Sequence, residues 1–497
     1  MKYLIYRLAD EIDQPELIQT LPNGFTLVTE SRQQSHLTFY DSFDWRLYGQ
    51  SLALLGDGQS LFLYHLDEAV EMPRTAVANP PIFAWELPEG ELQAAIAPIL
   101  AARALLPQAD IHLHTTLLQV QNEDEKGVAW LWLEATPPLA TYARLLPVRG
   151  YEQEAEQVAE WLETVGGTAV SPANFYHQSM TAAGKLPGDY TAKTQLTFDP
   201  NMPATTAVKC LLQAELRVIQ TNAPYIGKDI DTEFLHDFRV ALRRTRSALG
   251  QFKQLFPADQ VLRFRDELKI VAQWTNELRD LDVYLLAEDK YRALLPEMMQ
   301  AEIGPLFAYL RQKRVSALAT AVTRFQSAEY QTIMDDWTAF LGTAETDADQ
   351  PLLPLAQHHI HKRYRRIRKE GRHILQNGDE AQMHALRIQC KKLRYLLEFF
   401  ASLFPPEQLA VLITQLKSLQ ATLGDINDLR VQEAYLLGIA RELPLESHSA
   451  LLAIGALVAK LHDQRTQAKI LFREAFTQFA VKENRRLFKQ LFKTAET

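Results

Sequence analysis

The chain has 497 residues, 52 Lys+Arg against 61 Asp+Glu for a formal net charge of −9, and 47% hydrophobic residues. That length suits two or three domains, each with an ordinary apolar core, and an acidic total argues against indiscriminate binding of polyanions. No apolar run approaches a membrane span, and the stretch from Met1 to Arg7 lacks the sustained apolar region of a signal peptide, so the expectation is a cytoplasmic protein with no membrane partner.

The charge is unevenly spread. Residues 1–200 hold 11 Lys+Arg and 26 Asp+Glu, a net of −15, while the remaining 41 and 35 leave the rest of the chain at +6. A basic half still permits a focused anion site. Up to about residue 198 the sequence alternates short strand-like runs (2–7, 25–29, 36–40, 51–55, 60–66, 112–121, 128–134) with helical patterns at 89–106 and 152–165. Turn signals such as Pro22-Asn23-Gly24 and Gly56-Asp57-Gly58 bound them, and the absence of a βαβ rhythm predicts an antiparallel sheet or barrel with added helices. Residues 182–189 and 199–203, rich in Gly, Pro and Asp, read as a linker.

From there the pattern is helical almost to the end, over 205–222, 232–255, 259–276, 280–293, 299–326 and 329–342. A second set covers 353–376, 380–402, 406–423, 429–443, 446–465 and 467–494. These sets are copies. His236-Asp237-Phe238-Arg239-Val240-Ala241-Leu242-Arg243-Arg244-Thr245-Arg246 returns as His384-Ala385-Leu386-Arg387-Ile388-Gln389-Cys390-Lys391-Lys392-Leu393-Arg394, displaced by 148 residues. Phe256-Pro257 and Asp280-Leu281 return at the same displacement, as does Arg217 at Arg365, whereas Leu310 and Arg314 match Leu461 and Arg465 at 151. The duplication therefore spans about 205–342 and 353–494, best kept in its first half.

At 100° per residue, His236, Arg239, Arg243 and Arg246 form one stripe, and Leu235, Phe238, Leu242, Leu249 and Phe252 form another about 100° away. In the second copy His384, Arg387, Lys391 and Arg394 run beside Met383, Leu386, Cys390, Leu393, Leu397 and Phe400. A merely solvated cationic face would lie opposite the apolar one. Here it adjoins the core, where a groove between packed helices would be. The bland alternative is a charged surface neutralised by internal Asp and Glu. A third basic run has Arg365, Arg368 and Arg372 on one side, but its first-copy counterpart keeps only Arg217. Cys210 and Cys390 fall on apolar stripes and are read as core thiols, too few for a metal cluster. His112-x-His114 and His358-His359-x-His361 have no completing ligands, so no metal or cofactor is expected.

The duplicated His-x-x-Arg-Val/Ile-x-x-Arg/Lys-Arg/Lys-x-Arg, each followed by Phe-Pro and then by Asp280-Leu281-Asp282 or Gly424-Asp425-Ile426-Asn427-Asp428, resembles the conserved histidine α-helical domain, CHAD. That resemblance implies, for 199–497, an all-α domain of two pseudo-symmetric four-helix bundles whose basic groove binds inorganic polyphosphate. The residues it assigns to that groove are His236, Arg239, Arg243, Arg246, His384, Arg387, Lys391 and Arg394. Arg244, Lys392, Lys269, Lys417, Arg365, Arg368 and Arg372 join them. A polyphosphate has no bases to read and needs a line of cations, and each 11-residue stripe is about 15 Å long. Few aromatics interleave those cations, which disfavours nucleic acid.

In the first domain, residues 1–198, Phe39-Tyr40-Asp41-Ser42 followed by Leu52-Ala53-Leu54 is similar to a segment of the CYTH, or triphosphate-tunnel, family. This implies an α+β domain built on an antiparallel barrel that hydrolyses triphosphates with a metal. The sequence departs from that pattern: residues 2–7 contain no carboxylate, and 52–55 no arginine. A tunnel-like domain without catalysis is the expectation, with Asp41, Asp44 and Glu134 as the carboxylates that could rebuild a metal site. Two readings follow: a polyphosphate-binding protein, targeted to polyphosphate granules, or alternatively a triphosphatase or polyphosphatase acting from the first domain.

Overall fold

The computed structural model describes residues 3–8, 17, 19–68, 73–77, 81–136, 140–343, 350–443 and 447–493; Lys2, Ser447's neighbour Glu446 and Thr494, at the ends of expected elements, lie outside these. Two compact units divide the chain, Met1–Ala192 and Lys193–Thr497.

The first unit is one antiparallel sheet with three α-helices among its described residues. Its strands are β1 (Leu4–Arg7), β2 (Thr26–Asp41), β3 (Leu52–Gly56), β4 (Ser60–His65), β5 (Arg74–Ala76), β6 (Leu106–Gln121), β7 (Gly127–Ala135), β8 (Thr141–Pro147) and β9 (Thr168–Ala169), in spatial order β5-β4-β3-β2-β6-β7-β8-β1-β9. The helices are α1 (Glu91–Leu100), α2 (Glu152–Thr164) and α3 (Pro172–Ala182). The antiparallel α+β class is as expected, but the sheet is open, with β5 and β9 as edges, so the expected barrel does not close.

Two short strands expected at 25–29 and 36–40 are one, paired with β6 from Thr26↔Gln121 to Asp41↔Leu106. Residues 30–35 carry no apolar side chain, so periodicity is silent there, and the ladder to β6 extends the strand through a bulge between Thr29 and Ser31. On one face Leu118, Val120, Leu131, Leu133 and Leu145 pack on Val158, Trp161 and Leu162 of α2. Elsewhere Phe39, Leu55, Ile111 and Leu113 pack on Tyr176 and Met180 of α3.

The second unit is helical and duplicated. Its first half has α4 (Ala204–Ile226), α5 (Glu233–Gln251), α6 (Ala258–Gln273), α7 (Asn276–Leu286), the short α8 (Glu288–Ala293) and α9 (Glu297–Gln300), α10 (Gly304–Phe325) and α11 (Ala328–Gly342). The second has α12 (Leu352–Asn377), α13 (Glu380–Phe399), α14 (Pro406–Ala440), α15 (His448–Phe479) and α16 (Lys482–Phe492). The break expected near 424–428 does not form. Residues 406–440 continue as one helix where the first copy splits at Trp274-Thr275. Similarly, α15 runs past the break expected at 466 and ends at Phe479.

Both expected apolar stripes are core except at Met383, which is only partly buried at the start of its helix. Leu235, Phe238, Leu242, Leu249 and Phe252 are buried, as are Leu386, Cys390, Leu393, Leu397 and Phe400. Cys210 departs from its reading as a core thiol and is only partly buried. The halves meet through equivalent residues. Ala204 N–H donates to Gln350 O and Leu352 N–H to Met202 O, both at 3.0 Å, across an isolated Pro203↔Pro351 bridge. Phe252 and Phe400 rings meet at 5.6 Å. Since each residue contacts its own counterpart or the residue two positions before it, these contacts mark the local pseudo-two-fold axis.

Candidate functional site

Helices α5 and α13 carry the two cationic stripes, and their apolar stripes lock both helices against the core. That leaves the adjoining faces to meet near the axis. Arg243 Nε donates to the Tyr395 hydroxyl at 3.0 Å, so a first-copy cation reaches the second-copy helix. Lys391, the counterpart of Arg243, is pushed down to about 8. Burial is the main cause, followed by the positive charges of Arg243, Arg387 and Arg394, with Asp428 opposing. Neither Arg243 nor Lys391 has an ion-pair partner among the described residues. Arg243 is exposed and Lys391 half-buried, and like charges brought together in this way repel one another.

Several other members of the two stripes have internal partners. Arg239 Nη1 donates to Ala272 O at 2.9 Å and to Thr275 Oγ1 at 2.7 Å, and Nη2 to Asn276 Oδ1 at 2.9 Å. It therefore satisfies the helix end where α6 breaks, and burial lowers its pKa to about 10, which still leaves it charged. Its counterpart Arg387 lies 3.1 Å from Asp428. Arg279, on α7, approaches His236 Nδ1 at 2.8 Å, while His384 Nδ1 meets Asn427 Oδ1 at 2.6 Å. Arg394 is 3.1 Å from Glu398 and donates to Gln420 at 3.1 Å. The counter-anion alternative thus holds for Arg387 and Arg394, but not for Arg243 and Lys391.

The other expected site residues are dispersed. Arg244 is buried, its Nε 3.1 Å from Glu215 and its guanidinium 5.1 Å from the Phe399 ring. It is an interior ion pair rather than a groove wall. Lys269 and Lys417 are exposed on α6 and α14. Arg365, Arg368 and Arg372 line an open depression with Lys369, His373 and Gln376 on the side of α12 that faces Arg485 of α16. They are grouped apart from the axis cations, because they sit on the opposite side of α12 from Arg363 and Arg366, which face Lys392. Arg246 and Lys392 also face other cations, Arg265 among them.

Sequence reasoning missed Arg279, Tyr395, Arg265 and Arg363. Only Arg363 had a readable signal: it stands 148 residues after Glu215, a reversal of charge between copies. Two further basic residues are structural clamps. Arg314 spans Asp229 and Asp282 at 2.5 and 2.6 Å, and Arg465 spans Glu380 and Glu433 at 2.5 and 2.8 Å. All three partners repeat at a displacement of 151, so a helix-tying triad was duplicated with the fold.

In the first unit the three candidate carboxylates are engaged internally. Asp41 is buried and accepts from the backbone N–H groups of Ser42, Leu47 and Tyr48 at 2.6, 3.0 and 2.9 Å; burial nevertheless raises it to about 6. Asp44 lies 3.0 Å from Arg46 and 3.4 Å from Arg103, and is held below the usual carboxylate range despite its burial. Glu134 pairs with Arg144 at 2.7 Å in a cavity of about 270 Å³ whose walls include Phe39, Tyr64, Trp132, Phe175 and Tyr176. Arg144 also lies over Trp132 at 4.8 Å. His112 and His114 are exposed on β6, and His359 is driven down to about 4, mainly by burial, which keeps it neutral. Among the described residues no three His, Cys, Asp or Glu side chains converge as metal ligands.

A duplicated helical scaffold with cations gathered at its internal axis is the class of protein that the second unit defines. This unit is a CHAD domain: the model of that family matches residues 210–437. The crystal structure of the CHAD domain from the plant Ricinus communis is similar in fold at a TM-score of 0.51 and 24% identity, covering 58% of this chain and 96% of that one. PptA from Streptomyces chartreusis matches at a TM-score of 0.44 and 18% identity, over 56% of this chain and all of that one. Two uncharacterized proteins from two strains of Mycobacterium tuberculosis are each 25% identical over 216 residues, 41% of this chain and 40% of theirs. The chain thus matches less than half the length of those relatives. CHAD domains are associated with polyphosphate-related proteins.

Proposed function

We propose that the helical unit binds inorganic polyphosphate along the cations gathered at the pseudo-two-fold axis, and that this binding directs the chain to polyphosphate granules in the cytoplasm. The observation that carries the reading is the approach of Arg243 and Lys391 with no carboxylate paired to either among the described residues. A linear polyanion with about one charge per unit relieves that repulsion, while Arg supplies forked contacts and Lys a point charge. No chemical step is needed, and the unit acts as a binding module.

The first unit supports the same non-enzymatic reading. A triphosphate entering the cavity would meet one arginine, Arg144, already neutralised by Glu134 among aromatic walls. Metal-assisted phosphoryl transfer needs carboxylates free for the ion and several cations for the phosphates. We propose that this unit does not hydrolyse phosphoanhydrides.

Titration of the full chain with long-chain polyphosphate, with DNA and RNA of equal charge as competitors, tests the reading. Polyphosphate should bind and resist displacement by either nucleic acid. Equal displacement by DNA would replace it with a general polyanion site.

A further inference from the structure

The two halves differ most where the duplication exchanges acids for other residues. In the first-copy environment, Arg244 is 3.1 Å from Glu215, and Arg394 is 3.1 Å from Glu398. The pseudo-symmetric counterparts of these four residues are Lys392, Arg363, Arg246 and Gly250, each displaced by 148. Both carboxylates are gone from the second environment, one replaced by an arginine and the other by a glycine. The vacated space at Gly250 is taken by a fifth group: a Cβ built there would lie 3.6 Å from Nε of Arg265, whose own counterpart is Ile413.

The resulting cluster is only partly neutralised. Arg363 donates to the neutral amides of Gln389 and Gln251. Arg366 is paired with Glu370 at 2.6 Å, and Asp266 stands near Arg246. No carboxylate is paired with Lys392, Arg363, Arg246 or Arg265 among the described residues. The Nε–H of Arg246 is shielded from solvent with no acceptor, a donor that an oxyanion would satisfy. Burial and mutual repulsion hold Lys392, Arg363 and Arg246 below their ordinary pKa values, in keeping with a site whose counter-charge comes from outside the chain.

We propose that Lys392, Arg363, Arg246 and Arg265 form a second phosphate-oxyanion site, built from residues of both copies and present at only one of the two pseudo-symmetric positions. Its ligand is a phosphate group, free in a short oligophosphate or carried as one unit of a longer chain. The site does not depend on the axis binding polyphosphate.

The test uses the full chain, with tripolyphosphate and long-chain polyphosphate as probes in calorimetry. Arg363→Glu restores the first-copy ion pair to Lys392, and Arg363→Gln removes the charge without adding a new one. Arg243→Ala with Lys391→Ala disables the axis alone. The expected result is tripolyphosphate binding to the parent protein, weakened at least tenfold by Arg363→Glu and severalfold by Arg363→Gln, but within twofold of the parent in the axis double variant. If the parent ignores tripolyphosphate while both Arg363 variants lose long-chain affinity, the cluster holds an internal unit of the chain and the site stands. If neither probe responds to either Arg363 variant, or if the axis variant abolishes tripolyphosphate binding, there is no second site. Failure of the axis reading has a different signature: unchanged long-chain affinity in the axis double variant.

Discussion

Binding of a polyanion at the axis should take up a proton above neutral pH, and Lys391 is the residue that should take it. Its pKa is lowered from the ordinary 10.5 to about 8 by burial and by Arg243, Arg387 and Arg394. At pH 9 only about one Lys391 in ten is therefore charged in the free protein, while a phosphate chain laid on it restores the charge. Reprotonation at that pH costs up to about 1.4 kcal/mol, a tenfold loss of affinity relative to neutral pH. The side chain is only partly buried, so solvent and salt screen the effect and the observed loss should be smaller. Titration calorimetry at pH 9 in two buffers of different ionisation enthalpy reads the uptake directly, and it should approach one proton per chain. Lys391→Arg should abolish the uptake and flatten affinity between pH 7 and 9. Buffer-independent heats at pH 9, or unchanged uptake in Lys391→Arg, would refute the placement of Lys391 beside the ligand. The sign for folding follows from the same shift: a lysine depressed in the folded state makes the fold gain stability as pH rises from about 8 toward 10.5.

Long-chain polyphosphate affinity should fall steeply with added salt, as bound counterions are released, and a flat response between low and moderate salt would exclude an electrostatic track. Arg243→Glu with Lys391→Glu should abolish binding while leaving the circular dichroism and thermal midpoint close to the parent's, since neither residue is ion-paired among the described residues and the one hydrogen bond given for the pair, from Arg243 to the Tyr395 hydroxyl, is made by an exposed side chain. Arg239→Ala should instead cost about 1–3 kcal/mol of stability in denaturant unfolding, because it removes the donor for Ala272 O, Thr275 and Asn276. The full chain should release no phosphate from ATP, tripolyphosphate or thiamine triphosphate with Mg²⁺ or Mn²⁺; EDTA-sensitive release proportional to protein would make the first unit an enzyme.

The helical fold was legible because its periodicity is redundant. Phe238 and Leu386, or Phe252 and Phe400, occupy equivalent core positions, and each copy corroborates the other's helix. The sheet was less so. Strand β8 carries Tyr142 and Arg144 among apolar neighbours and was not recognised, although it is the strand that brings Arg144 to Glu134. Residues 30–35 are a strand only because β6 pairs with them, a tertiary cause that no local pattern records. The site was legible in type but not in allocation. Spacing places Arg239, Arg243, Arg244 and Arg246 on adjacent faces of a single helix. What each face meets (a broken helix end, the opposite copy, Glu215 or Arg265) depends on other elements.

Divergence between the copies follows from this difference in constraint. A core position in a duplicated unit faces the same packing in both halves, so a change of volume costs stability in either. The triads around Arg314 and Arg465 are held in the same way, since losing one carboxylate would strand a partly buried guanidinium. At the axis, Arg243 and Lys391 have each other as neighbours, so neither half can be neutralised without affecting both. Glu215 and its counterpart Arg363 are under no such tie: each belongs to one half, and the exchange of carboxylate for guanidinium moves the local charge by two units while the helices around it keep their packing. A symmetric scaffold can thus support an asymmetric charge pattern. A linear polyanion crossing the axis would meet unpaired cations at the Lys392 cluster but not at the equivalent position, where Arg244 is buried against Glu215. Its contacts would then be unequal at the two pseudo-symmetric positions, and the Lys392 cluster is where shortening the chain should be felt last.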